Sequence, residues 1–381
     1  MSRITHNNLR LRTWLEIDKS ALANNYKSLR QILSLGCQLM AVTKSNAYGH
    51  SLIDYSQAVQ ALGVDWIGVD SIIEAVTLRA NKITVPILVL GYTFPELVST
   101  AIKKNISLLV SSFDSLQELV DSGQSAGLKI HLKFDTGMSR QGFFSDQAEE
   151  VIRFVKDKLP QVIIEGVCTH LAGAKNPAYP QSTEQQLVDF VKVLKIFNEQ
   201  GMEVIKHAAA TSGTIVYPQS HYDLVRIGIG LYGLWPSVAV KQAFADKLKL
   251  RPILTWKTIV AEVKTLPAGS KVGYDWTEEV QQATTIAVLP IGYWHGYDRS
   301  LSSQGCVIIK NKPAKVLGRV SMDMIVVDIS HVPEVQVGDE VMLMGGTDQT
   351  CCSAEALAEK AKTTNYEIIT RLNPLIKRIY K

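Results

Sequence analysis

The 381-residue sequence has no CxxC spacing, no block of like charge and no low-complexity linker. It also lacks any apolar run of the ~18 residues that a membrane span requires. Its five cysteines (Cys37, Cys168, Cys306, Cys351 and Cys352) are odd in number, and two are adjacent. Neither a disulfide framework nor a zinc site is expected, and a reducing cytoplasm is the expected setting. The opening "MSRITHNNLRLRTWLEID" has no continuous apolar segment, so secretion is not expected. A net charge of +4 is small for this length and argues for neither nucleic acid nor an anionic membrane as partner.

What is present is material for a large core: 46% hydrophobic and 20% charged residues. From residue 38 to about 230, short apolar runs alternate with amphipathic stretches such as "DSLQELVDSG" and "EEVIRFVKDKL". The runs are "QLMAVTK", "WIGVD", "PILVLG", "ISLLVSS", "KIHLKFD", "VIIEGVCTH", "EVIKHAA" and "LVRIGIG". Eight such strand–helix units predict an α/β fold, an N-terminal (β/α)8 TIM-type barrel. Past residue 246 the texture becomes β-rich, with separators such as "PAGS" and "KNKP". This predicts a mostly antiparallel β domain over 246–381, ending in a short helix at "SAEALAEKAKTT" and a tail. The barrel is assigned to 13–245, with 13–18 ("TWLEID") as a candidate strand of the second domain.

Strand ends in such a barrel carry its chemistry. Here they carry Lys44, Lys133, Asp135 and His170; His207 lies within the seventh strand with Thr211 and Ser212 just after it, and Arg226 lies within the eighth. A partly desolvated lysine there can act as an amine nucleophile or base. Pyridoxal phosphate (PLP) chemistry and a barrel-type aldolase both use such a lysine. The glycines of "RIGIGLYG" after the eighth strand would suit a phosphate, although turn glycines are common at strand ends.

The motifs also resemble a known family. "AVTKSNAYGH" is similar to the PLP-attachment motif of alanine racemases. "KFDTGMSRQG", "GVCTHLA", "VRIGIGLYG", "VGYDW", "LPIGY", "GRVSMDM" and "TNYE" follow in that family's order. The resemblance implies a barrel followed by a β domain, and PLP-dependent interconversion of L- and D-alanine, supplying D-alanine for peptidoglycan or degrading it. It implies Lys44 as the PLP-bearing lysine and one base, with Tyr274 as the opposite base, given across the interface of a homodimer with shared active sites. Tyr48, Thr211, Tyr366 and the backbone at Gly228 and Ile229 would bind the phosphate. Arg226 would face the pyridine nitrogen, with His170 beside it. Arg140 and Met322 would touch substrate, and Lys133 would carry a carbamate that holds Arg140. A metal is not part of the implied site.

The chemistry explains these residue types. Racemisation removes a proton from one face of a carbon and returns one to the other, so two bases must flank it. A guanidinium at the pyridine nitrogen disfavours a second positive charge there. A phenol of ordinary pKa near ~10 is a poor base at neutral pH, so cationic neighbours such as His170 and Arg226 would have to assist it. Tyr293 and Asp323 lie in matching motifs as contributors to the substrate entrance. His50 and His207 read as structural. Lys133 has an alternative reading as a strand-end cation paired with Asp135.

Three departures bear on specificity. Ser45 stands where alanine is usual, "HAAATSG" lacks the family's Asn-Ser, and Trp294-His295 replace Ala-Asp. Serine or broad amino-acid specificity is the first alternative and a barrel-type PLP decarboxylase the second. A PLP carrier without catalysis is the third, opposed by the segment bearing Tyr274.

Overall fold

The computed structural model describes residues 11–347 and 350–381. The chain divides into two compact units. One comprises Leu22–Ala47 and Leu52–Arg251; the other comprises Met1–Ala21, Tyr48–Ser51 and Pro252–Lys381. The short return at residues 48–51 directly follows the lysine motif.

The strands are β1 Thr13–Ile17, β2 Gln38–Val42, β3 Trp66–Val69, β4 Ile87–Val89, β5 Ile106–Val110 and β6 Lys129–Asp135. Next come β7 Ile163–Cys168, β8 Ile205–His207, β9 Leu224–Ile227, β10 Leu254–Ile259 and β11 Glu262–Leu266. Then follow β12 Thr284–Leu289, β13 Cys306–Ile309, β14 Lys312–Leu317, β15 Ile325–Asp328, β16 Glu340–Met344 and β17 Lys377–Tyr380.

The larger unit holds a parallel sheet in the order β9-β2-β3-β4-β5-β6-β7-β8. Bonds from Asp223 N to Lys206 O and from Arg226 N to Ala209 O, with a parallel bridge from Ala210 to Arg226, draw β8 and β9 together. The result is a nearly closed eight-stranded barrel. Strands such as "ISLLV" are buried at every position, as a strand covered on both faces requires. Met40, Trp66, Leu88, Leu109, Cys168 and Leu224 form one buried cluster drawn from six of the eight strands. The barrel interior is therefore a packed core.

Local chemistry sets the helices between them. Ser71 and Glu74 form a capping box on Ile72–Ala80. Ser112 caps Phe113–Ser122, which ends on left-handed Gly123.

The second unit is a nine-stranded sheet, β11-β12-β15-β14-β13-β16-β10-β1-β17. Its ladders are antiparallel except that β17 pairs parallel to β1. After helix Ala354–Lys360 comes a second helix, Asn365–Thr370, and the tail forms β17, where the sequence pattern predicts only one helix and a tail.

One expectation is overturned. Cys306, on β13, and Cys351 form a disulfide, with Cα atoms 5.9 Å apart. The odd count and adjacent pair hid it because only the fold reveals proximity. β13 pairs with β16, and Gly345 N after β16 bonds to Cys352 O, which brings residue 351 back to Cys306. Cys37, Cys168 and Cys352 are free and buried. No described helix is long and apolar enough to cross a membrane, and the described residues hold no metal-binding cluster.

Candidate active site

The lysine motif folds unusually. β2 ends at Val42, and Ser45, Asn46, Ala47 and Tyr48 all take left-handed backbone angles, with φ of 56°, 54°, 50° and 51°. Each such residue costs roughly 1–2 kcal/mol in an L-chain, so specific bonds must hold the turn. Thr43 N donates to Gly68 O, Ala47 N to Thr43 O, and Leu52 N to Asn46 Oδ1. Glu74 does more. Its Oε1 accepts from Ser45 N at 2.8 Å, while its Oε2 accepts from Asp70 N and Ser71 N. One carboxylate thus ties the lysine turn to the end of β3. Lys44 lies just past β2, and its ammonium is 3.1 Å from Asp70 Oδ1. Asp70 escaped the sequence reading, although an acidic residue ending the neighbouring strand was its signal.

Strand β6 sends His131 and Lys133 to one face by its period of two. Lys133 is buried with Nζ 3.4 Å from Gln141 Oε1. Burial lowers its pKa, and the nearby Arg140 and Arg226 cations lower it further. It does not pair with Asp135, as the alternative reading had it. The Asp135 carboxylate instead accepts from the amides of Gly137, Met138, Ser139 and Arg140, folding the turn that carries Arg140. Burial works against that charge, but the four amides hold its pKa below the usual range.

Arg226 is buried on β9. Its Nη2 donates to Thr169 O at 2.7 Å and Ala208 O at 2.9 Å, and lies 3.3 Å from His170 Nδ1. Its Nη1 lies 2.6 Å from His207 Nδ1. His207, read from sequence as structural, therefore touches the arginine directly. Burial, then Arg226 and the other nearby cations, push His170 down to about 3, so it is neutral.

Thr211 opens a short helix, Thr211–Val216, whose cap residue Ala210 supplies no side-chain acceptor. Thr211 Oγ1 accepts from Gly228 N at 3.2 Å and Gly230 N at 3.4 Å. Glycine is required at 230, where a Cβ would stand 2.8 Å from the Thr211 methyl. The larger unit therefore brings together Lys44, Lys133, Arg140, His170, Thr211, Arg226, Gly228 and Ile229.

Four expected residues belong to the other unit. The rings of Tyr48 and Tyr366 are 6.2 Å apart. Burial pushes Tyr48 up to about 12 and raises Tyr366 as well, so both remain phenols. Residues 48–51 are fastened there by Arg378, which donates to Gly49 O, and by Tyr380, which donates to His50 O. Tyr274 is 69% exposed and Met322 is 55% exposed. Tyr274 opens a turn in which Asp275 and Trp276 are left-handed and Arg319 pairs with Asp275 at 2.7 Å. Trp294 and His295 line a cavity of about 250 Å³ with Arg12, Asn373 and Lys377.

Comparison with known proteins agrees across the chain. Residues 17–236 match the alanine racemase N-terminal domain and 253–380 its C-terminal domain. An alanine racemase of Symbiobacterium thermophilum is 39% identical over 373 residues, covering 97% of each chain. One from Leptospira interrogans is 34% identical over 377 residues, covering 96% of this chain and 95% of its own. Among solved structures, the Clostridium difficile 630 alanine racemase superposes with a TM-score of 0.91 at 31% identity, covering 98% of this chain and 97% of its own. That of a D-cycloserine-producing Streptomyces lavendulae gives 0.91 at 33%, covering 98% of each. Matches to both family domains, sustained over nearly the full length, show that this chain belongs to the alanine racemase family.

Proposed function

We propose that this protein interconverts L- and D-alanine with PLP as cofactor, using Lys44 and Tyr274 as bases on opposite faces of the substrate. The observation that carries this reading is the strand-end set of a racemase-family barrel, in which a lysine, a buried arginine and an anion-suited turn belong to one compact unit.

The residues fit the cofactor. Buried Thr211, at a helix start with no side-chain cap, and the amides of the Gly228–Ile229 turn suit a phosphate. Tyr48 and Tyr366 enter as phenols that burial keeps protonated, hence as hydroxyl donors to an anion. Arg226 is permanently cationic and would donate to the pyridine nitrogen. When bound, PLP delocalises the negative charge left on the substrate carbon after proton loss.

The chain's own groups do the rest. Lys44 removes or returns the proton on one face, and its left-handed turn fixes where the amine points. Tyr274, exposed on its own protomer, serves the other face in the site of a second copy, with Met322 beside it. The active form is therefore a homodimer acting on a small amino acid. Arg140 orients the substrate. Lys133, whose amine burial holds toward neutrality, adds through nitrogen to carbon dioxide and loses one N–H proton to solvent, giving an anionic carbamate that turns a repulsive contact with Arg140 into an attractive one. The unit of Leu22–Ala47 and Leu52–Arg251 bears Lys44 and Arg226, and the unit that includes Pro252–Lys381 bears Tyr274; the strand at 13–17 belongs to the second sheet. A cytoplasmic location belongs to the same proposal, and there Cys306 and Cys351 would be held as thiols.

Borohydride treatment of protein reconstituted with PLP tests the assignment. The cofactor should be recovered on the peptide containing Lys44. Labelling at another lysine would refute it.

A further inference from the structure

We propose that Glu165 is a positioning residue for Arg226, acting across the barrel interior through His131 and His207, which it locks in one pair of tautomers. The proposal rests on the reading that Arg226 faces the cofactor's ring nitrogen.

The chain of contacts is continuous. Arg226 Nη1 lies 2.6 Å from His207 Nδ1, His207 Nε2 lies 2.8 Å from His131 Nδ1, and His131 Nε2 lies 3.3 Å from Glu165 Oε2. Glu165 is itself anchored by the Ser107 hydroxyl and by Lys129, whose Nζ is 3.2 Å from Oε1. Arg226, His131 and His207 are all buried.

The donor rules then leave one arrangement. A guanidinium only donates, so His207 Nδ1 must accept, and a neutral His207 carries its proton on Nε2. That proton points at His131 Nδ1, which must also accept, so His131 is protonated on Nε2 and donates to the Glu165 carboxylate. Every proton in the row faces an acceptor only when both histidines are neutral Nε2–H tautomers. Burial, with Arg226 near both rings, supports neutrality by lowering each pKa. Burial opposes the Glu165 charge, but its bonds from His131 and Ser107 and the nearby Lys129 hold it down to about 2, ionised.

Glu165 is the end stop. Without an acceptor there, His131 can take its Nδ1–H tautomer and drive His207 to do the same. His207 would then present an N–H to the Arg226 N–H 2.6 Å away, and the guanidinium would have to turn. The backbone is shaped for this row. A Cβ on Gly166 would collide with His131, and the β6–β7 register shifts between Ile130 and His131. Trp66 packs edge-on against the His131 ring at 5.6 Å, limiting its rotation.

The test uses full-length protein with 15N-labelled histidine, read by NMR without cofactor, followed by PLP titration. In the wild type His131 and His207 should both be Nε2–H tautomers. Glu165→Gln keeps a carbonyl acceptor and should preserve both tautomers and PLP affinity. Glu165→Ala should mix the tautomers and weaken PLP about tenfold, the scale of one hydrogen bond to a charged group. An Nδ1–H or doubly protonated ring in the wild type would overturn the proposal, as would unchanged tautomers in Glu165→Ala or equal losses in both variants. If Glu165→Ala fails to fold, the wild-type and Glu165→Gln spectra decide. If Arg226→Lys leaves PLP affinity unchanged, the cofactor reading fails, and the cofactor-free tautomers still judge the relay.

Discussion

Gly166→Ala should be one of the most damaging single-methyl additions in this protein. An ideal Cβ there would stand 2.9 Å from His131 Cγ and closer still to Cε1 and Nδ1. His131 is fully buried and cannot swing into solvent. Overpacking of this kind costs ~1–3 kcal/mol. Displacing the ring also weakens its bonds to His207 and to the charged Glu165, adding ~1–3 kcal/mol by the usual worth of such bonds. A total loss of about 4 kcal/mol follows. Urea unfolding should show a lowered midpoint with an unchanged slope. In a His131→Ala background the methyl should be tolerated far better, because its collision partner is gone. A Gly166→Ala protein within ~0.5 kcal/mol of wild type, or an equal cost in both backgrounds, would refute this packing argument.

Other consequences are as direct. His131 and His207 are buried with lowered pKa values, so the unfolded chain binds protons that the folded chain refuses once pH drops below ~6.5. Their joint effect should reduce stability by up to ~2.7 kcal/mol per pH unit below that point; urea titrations flat from pH 7 to 5 would contradict it. Glu165, held at about 2, should contribute stability that is lost only lower, as pH falls from the unfolded-state value toward 2. The Cys306–Cys351 disulfide closes a 45-residue separation, worth ~4 kcal/mol in chain entropy. Dithiothreitol should lower the melting temperature of oxidised protein and leave Cys306→Ser unaffected; no response in either would remove the disulfide from the account. Tyr274→Phe should still exchange the α-proton of D-alanine in D₂O through Lys44 while racemisation falls ~10²–10⁴-fold. Equal exchange of both enantiomers would mean that Tyr274 is not the second base.

Much of the architecture was legible because it rests on local pattern. Buried parallel strands read as continuous apolar runs, and the ends of the eight runs lie within two or three residues of the barrel strand ends. Lys44 lies just past the first barrel strand, while Lys133 and Arg226 lie within the fifth and eighth. Features that depend on meetings distant in sequence did not show. Cys306 and Cys351 become neighbours only through the β13–β16 pairing, and β17 only through its parallel ladder with β1. The left-handed turn after Lys44 breaks local preference, and the bonds from Glu74 that hold it come from another element. His207 reads from sequence as structural, and nothing in the local sequence marks His131. The row from Arg226 to Glu165 joins side chains of β9, β8, β6 and β7, which no sequence spacing records.

Interconversion of L- and D-alanine can be measured directly. Purified protein supplied with PLP should be incubated separately with L-alanine and D-alanine and followed by chiral chromatography, beside a panel of other L-amino acids. Either enantiomer should run to the same near-equal mixture, faster than for serine or any other amino acid, and Lys44→Ala should abolish the conversion. Release of carbon dioxide, absence of conversion with PLP bound, or a Lys44→Ala variant as fast as wild type would contradict it.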